Sequence, residues 1–258
     1  MDKIKEIAKM IDHSLLHPTM TDKDLKDGCD LAKKYDVASV CIKPYAVKDA
    51  VKWLNGSDVK VGTVIGFPHG NSAIEVKLAE TLEAVRDGAI EIDMVVNIGK
   101  VLGGDWNYVR NEIAAVTEIC HQNNTIVKVI FENDFLPDDK YKIKLCKICS
   151  DVKADFVKTS TGYGFVKGKD HKYSYKGATS KDLKLMRQYS GAKVQVKAAG
   201  GVRSLEDLLK VKRLGVTRVG ATATAAILDA ARIKYETGEI KSKSTPKRSS
   251  VKKKDQGY

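Results

Sequence analysis

Short apolar runs alternate along this chain with longer stretches in which apolar positions recur at helical spacing, the pattern of buried strands separated by amphipathic helices. Residues 3–10 read as a short amphipathic helix that leads into Ile11-Asp12-His13-Ser14-Leu15-Leu16, a first short strand with polar residues on one face. Thr21-Asp22 offers a helix N-cap, and the chain reads helical from there to Tyr35. Strand-like runs follow at Ala38–Ile42, Val59–Ile65, Ala89–Val95, Thr125–Phe131, Ala154–Lys158, Lys193–Lys197 and Val216–Gly220, with mostly helix-period segments between them.

With the first run these make eight strands, most of them without strict in/out alternation. That is what a parallel sheet covered by helices requires. The number favours closure into a single (β/α)8 TIM barrel of the α/β class. An open doubly wound sheet is the rival, but it would carry a Gly-rich loop after its first strand, and Asp12-His13-Ser14 is not one. The longest connection, Tyr163 to Gly177, follows the sixth strand and is expected to hang over the mouth of the barrel. From about residue 237 the sequence turns Lys/Ser-rich with almost no apolar residues. The expected organisation is therefore a barrel domain over residues 1–236 and a flexible basic tail over 237–258.

Composition narrows the class. A chain of 258 residues, 43% hydrophobic, can bury one sizeable core. It has no run of eighteen apolar residues, and Met1-Asp2-Lys3-Ile4-Lys5-Glu6 lacks the apolar stretch of a signal peptide, so a soluble, cytoplasmic protein is expected. Five scattered cysteines, an odd number, fit reduced thiols. The net charge of +12 suggests nucleic acid until its distribution is considered: residues 241–258 hold seven basic side chains and one acidic one, half of the total excess.

The candidate chemistry lies where strands end. Asp155-Phe156-Val157-Lys158-Thr159-Ser160-Thr161-Gly162 delivers a lysine from an apolar run into a small polar loop, and Val194-Gln195-Val196-Lys197-Ala198-Ala199-Gly200-Gly201 repeats the design. Lys158 and Lys197, each read as closing its strand, would be neighbours around the ring. A free lysine has a pKa of about 10.4, and a second ammonium with partial burial can lower it enough for the neutral amine to attack a carbonyl. Asp93, in Glu91-Ile92-Asp93-Met94-Val95-Val96, is costly inside an apolar strand unless it is paired, and it could move protons there. Asp12 is a further candidate for the same polar network, and Cys41 is a candidate to line the cavity or a small core residue. Gly200-Gly201 after strand seven and Gly220-Ala221-Thr222 after strand eight bring backbone N–H groups and a hydroxyl near helix starts, where barrels hold phosphate. Cys146-x-x-Cys149 has the spacing of half a zinc site, but with no second pair it reads as two faces of one helix. The five histidines show no ligand spacing, which weighs against a metal-dependent lyase.

Taken together, the segments Ile11–Leu16, Val64-Ile65-Gly66-Phe67-Pro68, Glu91-Ile92-Asp93-Met94-Val95-Val96-Asn97-Ile98-Gly99, Val157-Lys158-Thr159-Ser160-Thr161-Gly162, Gly177-Ala178-Thr179, Lys197-Ala198-Ala199-Gly200-Gly201-Val202-Arg203 and Gly220-Ala221 resemble the deoxyribose-phosphate aldolase family, class I Schiff-base aldolases. The resemblance implies a (β/α)8 barrel and cofactor-free cleavage of 2-deoxy-D-ribose 5-phosphate into glyceraldehyde 3-phosphate and acetaldehyde. It implies Lys158 as the Schiff-base lysine, Lys197 as the neighbour that depresses its pKa, and Asp93 as the proton-relay carboxylate. Gly162 joins the phosphate-facing loops, and the terminal Tyr258 matches a tyrosine that assists proton transfer in some members. The chain departs from the family at His17, where lysine is frequent, at Ala223, where a serine is common, and at Tyr163, where some members carry a phosphate-facing lysine. Its Tyr163–Gly177 segment is longer than in many members.

The expected partner is a small sugar phosphate, with no membrane, and a homodimer is the candidate assembly. Two rival readings stand beside the aldolase. One is a Schiff-base barrel lyase acting on another sugar phosphate; the other is a non-catalytic barrel that binds nucleic acid through its basic tail. The tail has no aromatic residue besides Tyr258, which weighs against the latter.

Overall fold

In the computed structural model, which describes residues 2–236, eight parallel strands close into a barrel in sequence order, the first pairing with the last. We number them β1 (Ile11–Leu15), β2 (Ser39–Ile42), β3 (Lys60–Ile65), β4 (Glu91–Val95), β5 (Ile126–Ile130), β6 (Phe156–Lys158), β7 (Gln195–Ala199) and β8 (Arg218–Ala221). Helices fill the connections, which makes this the expected (β/α)8 barrel. The expected C-terminal tail, with Tyr258, lies outside the described residues. Among the described residues no helix is long and apolar enough to cross a membrane.

Most strand starts lie one or two residues later than the apolar runs suggest, for a reason repeated around the ring. The helices before β2, β4, β5, β6 and β8 end in a residue of positive φ, namely Asp36, Gly88, Asn124, Lys153 and Gly215. The next N–H then reaches back five residues to a helix carbonyl: Val37 to Ala32, Ala89 to Ala84, Thr125 to Cys120, Ala154 to Cys149 and Val216 to Val211. This is the Schellman closure, whose final residue buries itself against the helix it caps. Ala89, Thr125, Ala154 and Val216 are buried and so look like strand, but their hydrogen bonds belong to the preceding helix. At the other end, β7 runs past Lys197 to Ala199. Lys197 is therefore the middle residue of its strand, not its last. Asp93 likewise occupies the middle of β4.

Within each strand, alternate residues face opposite sides of the sheet. Ile92 and Met94 of β4, Val127 and Val129 of β5, Val157 of β6, Val196 and Ala198 of β7 and Val219 of β8 belong to the continuous apolar core. Cys146 and Cys149 join it from a helix spanning Asp139–Asp151. Both are buried, because residues three apart share one helix face, so they do not sit on two faces. The intervening strand residues, among them Asp12, Ser39, Glu91, Asp93, Lys128, Lys158, Lys197 and Arg218, meet one another inside the ring.

The end of β4 is fixed from behind by a second buried ion pair. Lys77, on the helix Ile74–Arg86, donates to the Val95 carbonyl at 2.8 Å and to Glu112 at 2.6 Å. Glu112, on the helix Trp106–Gln122, accepts the Asn97 N–H at 2.6 Å. Both side chains are fully buried. Removing one partner strands the other charge, so Lys77→Met should cost about 3–5 kcal/mol, read as a lower urea midpoint at unchanged m-value; a cost under about 1 kcal/mol would show that the pair is expendable.

Candidate active site

β6 brings Lys158 to its last position, and register places it beside Lys197 of β7. Both lysines line a cavity of about 870 Å³ at the carboxyl ends of the strands. Beneath them lies Asp93, without solvent exposure, accepting from Lys158 at 2.7 Å and from Lys197 at 2.6 Å on the same oxygen. Asp12 pairs with Lys197 at 2.6 Å and accepts the Ser39 hydroxyl at 2.7 Å. The structure thus brings together all four charged residues singled out in the sequence.

Three further charged residues complete the cluster. Lys128 of β5 lies 2.5 Å from Glu91, 3.0 Å from Asp93 and 3.3 Å from Asp12. Arg218 of β8 lies 2.5 Å from Asp12 and 3.0 Å from Glu91. Three carboxylates therefore face four bases. Lys128 carried a signal as plain as that of Asp93, a single charge inside Ile126-Val127-Lys128-Val129-Ile130. Arg218 did not, because it opens its strand and resembles a surface residue.

The bases are not equivalent. Lys128 touches three carboxylates, Lys197 and Arg218 two each, and Lys158 only Asp93. Burial disfavours every buried ammonium. At Lys158 burial prevails, helped by the charge of Lys197 and opposed by Asp93, and its pKa falls below the ordinary lysine value. At Lys197 burial is outweighed by Asp12 and Asp93, and the pKa rises. Asp93 resists its own burial through Lys128, Lys158 and Lys197, which hold its carboxyl well below the usual range. One amine, open to the cavity, is thereby poised to lose its proton while its neighbour keeps one.

The remaining candidates also line this cavity: Cys41, Gly162, Gly200, Gly201, Gly220, Ala221 and Thr222. Burial and the nearby Asp93 push the Cys41 thiol up to about 11, so it is an inert wall. Gly200 and Gly201 have φ of +85° and +89°, and a Cβ on Gly200 would fall 1.8 Å from the Tyr175 hydroxyl oxygen, so glycine is required there. The helix after this loop caps itself, since Asp207 accepts the N–H groups of Arg203 and Ser204. The Ser204 hydroxyl accepts the Asp207 N–H in return, and Arg203 lines the cavity beside the loop.

The Tyr163–Gly177 segment folds over the mouth as expected, but as an antiparallel ribbon pairing Val166–Lys167 with Tyr173–Ser174. Asp134 anchors it by accepting from the N–H groups of Lys176 and Gly177 at 2.8 and 2.9 Å. Tyr163 meets Phe67 edge-on at 5.6 Å, and Phe165 meets Tyr175 at 5.6 Å. Glu132, buried after β5, accepts from both the N–H and the hydroxyl of Thr161 and so shapes the loop carrying Gly162. Sequence reading missed Glu132 because it follows its strand in a left-handed turn, φ +55°. Among the described residues no group of three or more His, Cys, Asp or Glu side chains is arranged to hold a metal ion.

The profile of the DeoC/LacD family aldolases matches residues 6–232. The deoxyribose-phosphate aldolase of Rhodopirellula baltica is 54% identical over 227 residues, 88% of this chain and 90% of that one. That of Treponema denticola is 45% identical over 223 residues, covering 86% and 98%. Among solved structures, the tetrameric deoxyribose phosphate aldolase of Aeropyrum pernix superposes with a TM-score of 0.79 at 27% identity, covering 90% of this chain and 93% of that one.

The depressed pKa of Asp93 has a consequence for stability. A carboxyl that ionises more readily in the folded state stabilises the protein above its unfolded pKa, near 3.8, and that contribution is lost as pH falls through the lower folded value. Asp93→Asn should therefore be less stable at neutral pH and show a shallower loss below about pH 4 in urea midpoints taken across the acid range. An acid limb as steep as that of the parent chain would mean that Asp93 is not linked to folding.

Proposed function

Because the chain belongs to the DeoC/LacD family of aldolases, we propose that it catalyses the reversible retro-aldol cleavage of 2-deoxy-D-ribose 5-phosphate to D-glyceraldehyde 3-phosphate and acetaldehyde. The observation that carries this reading is the single lysine, open to the cavity, whose ammonium burial disfavours and only one carboxylate supports. A neutral amine at that place is a nucleophile for an aldehyde.

In this reading the Lys158 amine adds to C1 of the open-chain sugar, and loss of water leaves an iminium. The iminium draws the electron pair of the C2–C3 bond as the C3 hydroxyl gives up its proton. Glyceraldehyde 3-phosphate departs, and C2 remains as the terminal carbon of an enamine. Protonation of that carbon and hydrolysis of the resulting iminium release acetaldehyde and restore the amine. Asp93, held between Lys158 and Lys197, is the carboxylate through which these protons pass, and Lys197 remains a cation that keeps the Lys158 amine free. The phosphate is assigned to Gly162, Gly200, Gly201, Gly220, Ala221 and Thr222, with the Arg203 guanidinium adding charge. Asp12 supports Lys197 from below, and Cys41 shapes the wall. Five free, buried cysteines support a cytoplasmic setting.

Borohydride reduction in the presence of substrate should add mass to the peptide containing Lys158, and label confined to Lys197 would overturn the assignment. Lys197→Leu should lose nearly all activity at neutral pH and regain part of it in alkali, since removing the neighbouring charge raises the pKa of Lys158; an unchanged rate at neutrality would refute the tuning role. The resemblance also assigns Tyr258 to proton transfer at the acetaldehyde carbon. Deleting Tyr258 alone should slow exchange of the acetaldehyde methyl protons more than turnover, with the melting temperature unchanged; exchange and turnover equal to the full chain would remove it from the site.

A further inference from the structure

Two charged residues of the buried cluster, Glu91 and Arg218, make no contact with Lys158. Glu91 pairs with Lys128 and Arg218, and Arg218 pairs with Glu91 and Asp12. Both sit at the opening positions of their strands, and neither lines the cavity. They lie beneath the reacting lysine, on the side away from substrate. The Arg218 guanidinium lies 5.6 Å over the Phe156 ring, and its side chain remains 14% exposed.

Asp12, Glu91 and Asp93 supply three negative charges; Lys128, Lys158, Lys197 and Arg218 supply four positive charges when fully protonated. An uncompensated charge in so poorly solvated a cluster is costly, so the favoured state holds one proton fewer. Arginine cannot give up that proton under ordinary conditions. Among the lysines, Lys158 has the fewest carboxylate partners. Of the other groups facing the cluster, Cys41 has its thiol pushed up to about 11 by burial and the nearby Asp93, and Ser39 contributes only a hydroxyl to Asp12. Thr63 of β3 turns its hydroxyl to the Ile42 carbonyl. Glu132, beyond the end of β5, bonds Thr161 and forms no ion pair with the four bases; burial raises its pKa, while its bonds to Thr161 and the charge of Lys158 oppose that rise.

We infer that Arg218 and Glu91 are positioning residues that fix, from the closed end of the barrel, how many protons the buried cluster holds, and so leave Lys158 as the free amine. This rests on Lys158 being the nucleophile. Losing Arg218 makes three carboxylates face three lysines, and every lysine then keeps its proton. Losing the charge of Glu91 leaves two carboxylates against four bases, and a second proton is shed. Removing both restores the single excess base. The two residues touch each other, yet their single variants are expected to act with opposite sign and to cancel in the double variant.

The test is the pKa of the Lys158 amine, read by mass spectrometry from its pH-dependent acetylation with acetic anhydride, alongside kcat/KM against pH. R218M should move both the labelling midpoint and the acid limb of kcat/KM up by about one pH unit, and E91Q should move both down by a similar amount. R218K and the double variant E91Q/R218M should both stay near the parent chain. A purely structural role would lower stability and leave the Lys158 midpoint in place. Should R218M fail to fold, E91Q and R218K carry the test, and an E91Q midpoint equal to that of the parent chain overturns the inference, as does a shift of both single variants in one direction. Opposite shifts in a chain that cleaves no deoxyribose 5-phosphate would support this inference and sink the proposed reaction.

Discussion

Seven charged side chains share the interior of this barrel, drawn from six of its eight strands, and the rest of the molecule has to accommodate them. Removing each ion from water costs several kcal/mol after relaxation, and only close, multiple pairing offsets it. Such pairing demands that the ring close and that register be held, because a slip of one residue turns every side chain to the opposite face. The register that sets Asp93 beside Lys128, and Lys158 beside Lys197, is therefore as much a part of the site as the side chains themselves.

A polar interior shifts the burden of stability outward. The apolar residues of the strands face the helices, where they form one continuous core with Leu25, Val109, Ile113, Leu145, Leu208 and Ile227. Burial there supplies the favourable free energy that the ion cluster does not. The Schellman closures serve the same division: each ends a helix against that outer core and then releases the chain into a strand whose alternate residues face the charges. Lys77 and Glu112 form a separate buried pair behind β4, where they hold Val95 and Asn97 just past Asp93.

Much of this was legible in the sequence, and the gaps have physical causes. Lys158 and Asp93 stand out because a charge in an apolar run needs a reason, and Lys197 was found on the same ground even though its strand runs two residues further than it reads. Lys128 carried an equal signal, but its worth depends on which carboxylates the register sets beside it, and that is a property of the closed ring. Arg218 and Glu91 open their strands, where a charged residue ordinarily reaches solvent. Glu132 depends on a left-handed turn that an L-residue rarely adopts, and only the fit of its carboxylate to Thr161 makes sense of it. Strand starts were read early because burial was taken for membership of the sheet, whereas hydrogen bonding assigns those residues to the helix behind.

The mouth obeys a different constraint from the floor. Where some members of the family carry a phosphate-facing lysine the chain has Tyr163, and the wall continues through Phe165 and Tyr175 on the ribbon. These rings lack the formal charge that would hold an anion by themselves. They do fix the loops: Tyr175 lies against the backbone of Gly200, Asp134 ties the base of the ribbon to the connection after β5, and Glu132 holds Thr161 in the connection after β6. The loops after β5, β6 and β7 are thereby interlocked. Backbone N–H groups are weak partners for a phosphate when they must be ordered on binding and strong ones when they are ordered beforehand. In the proposed reading, loops ordered by these contacts, with Arg203 at their edge, would take the place of that lysine.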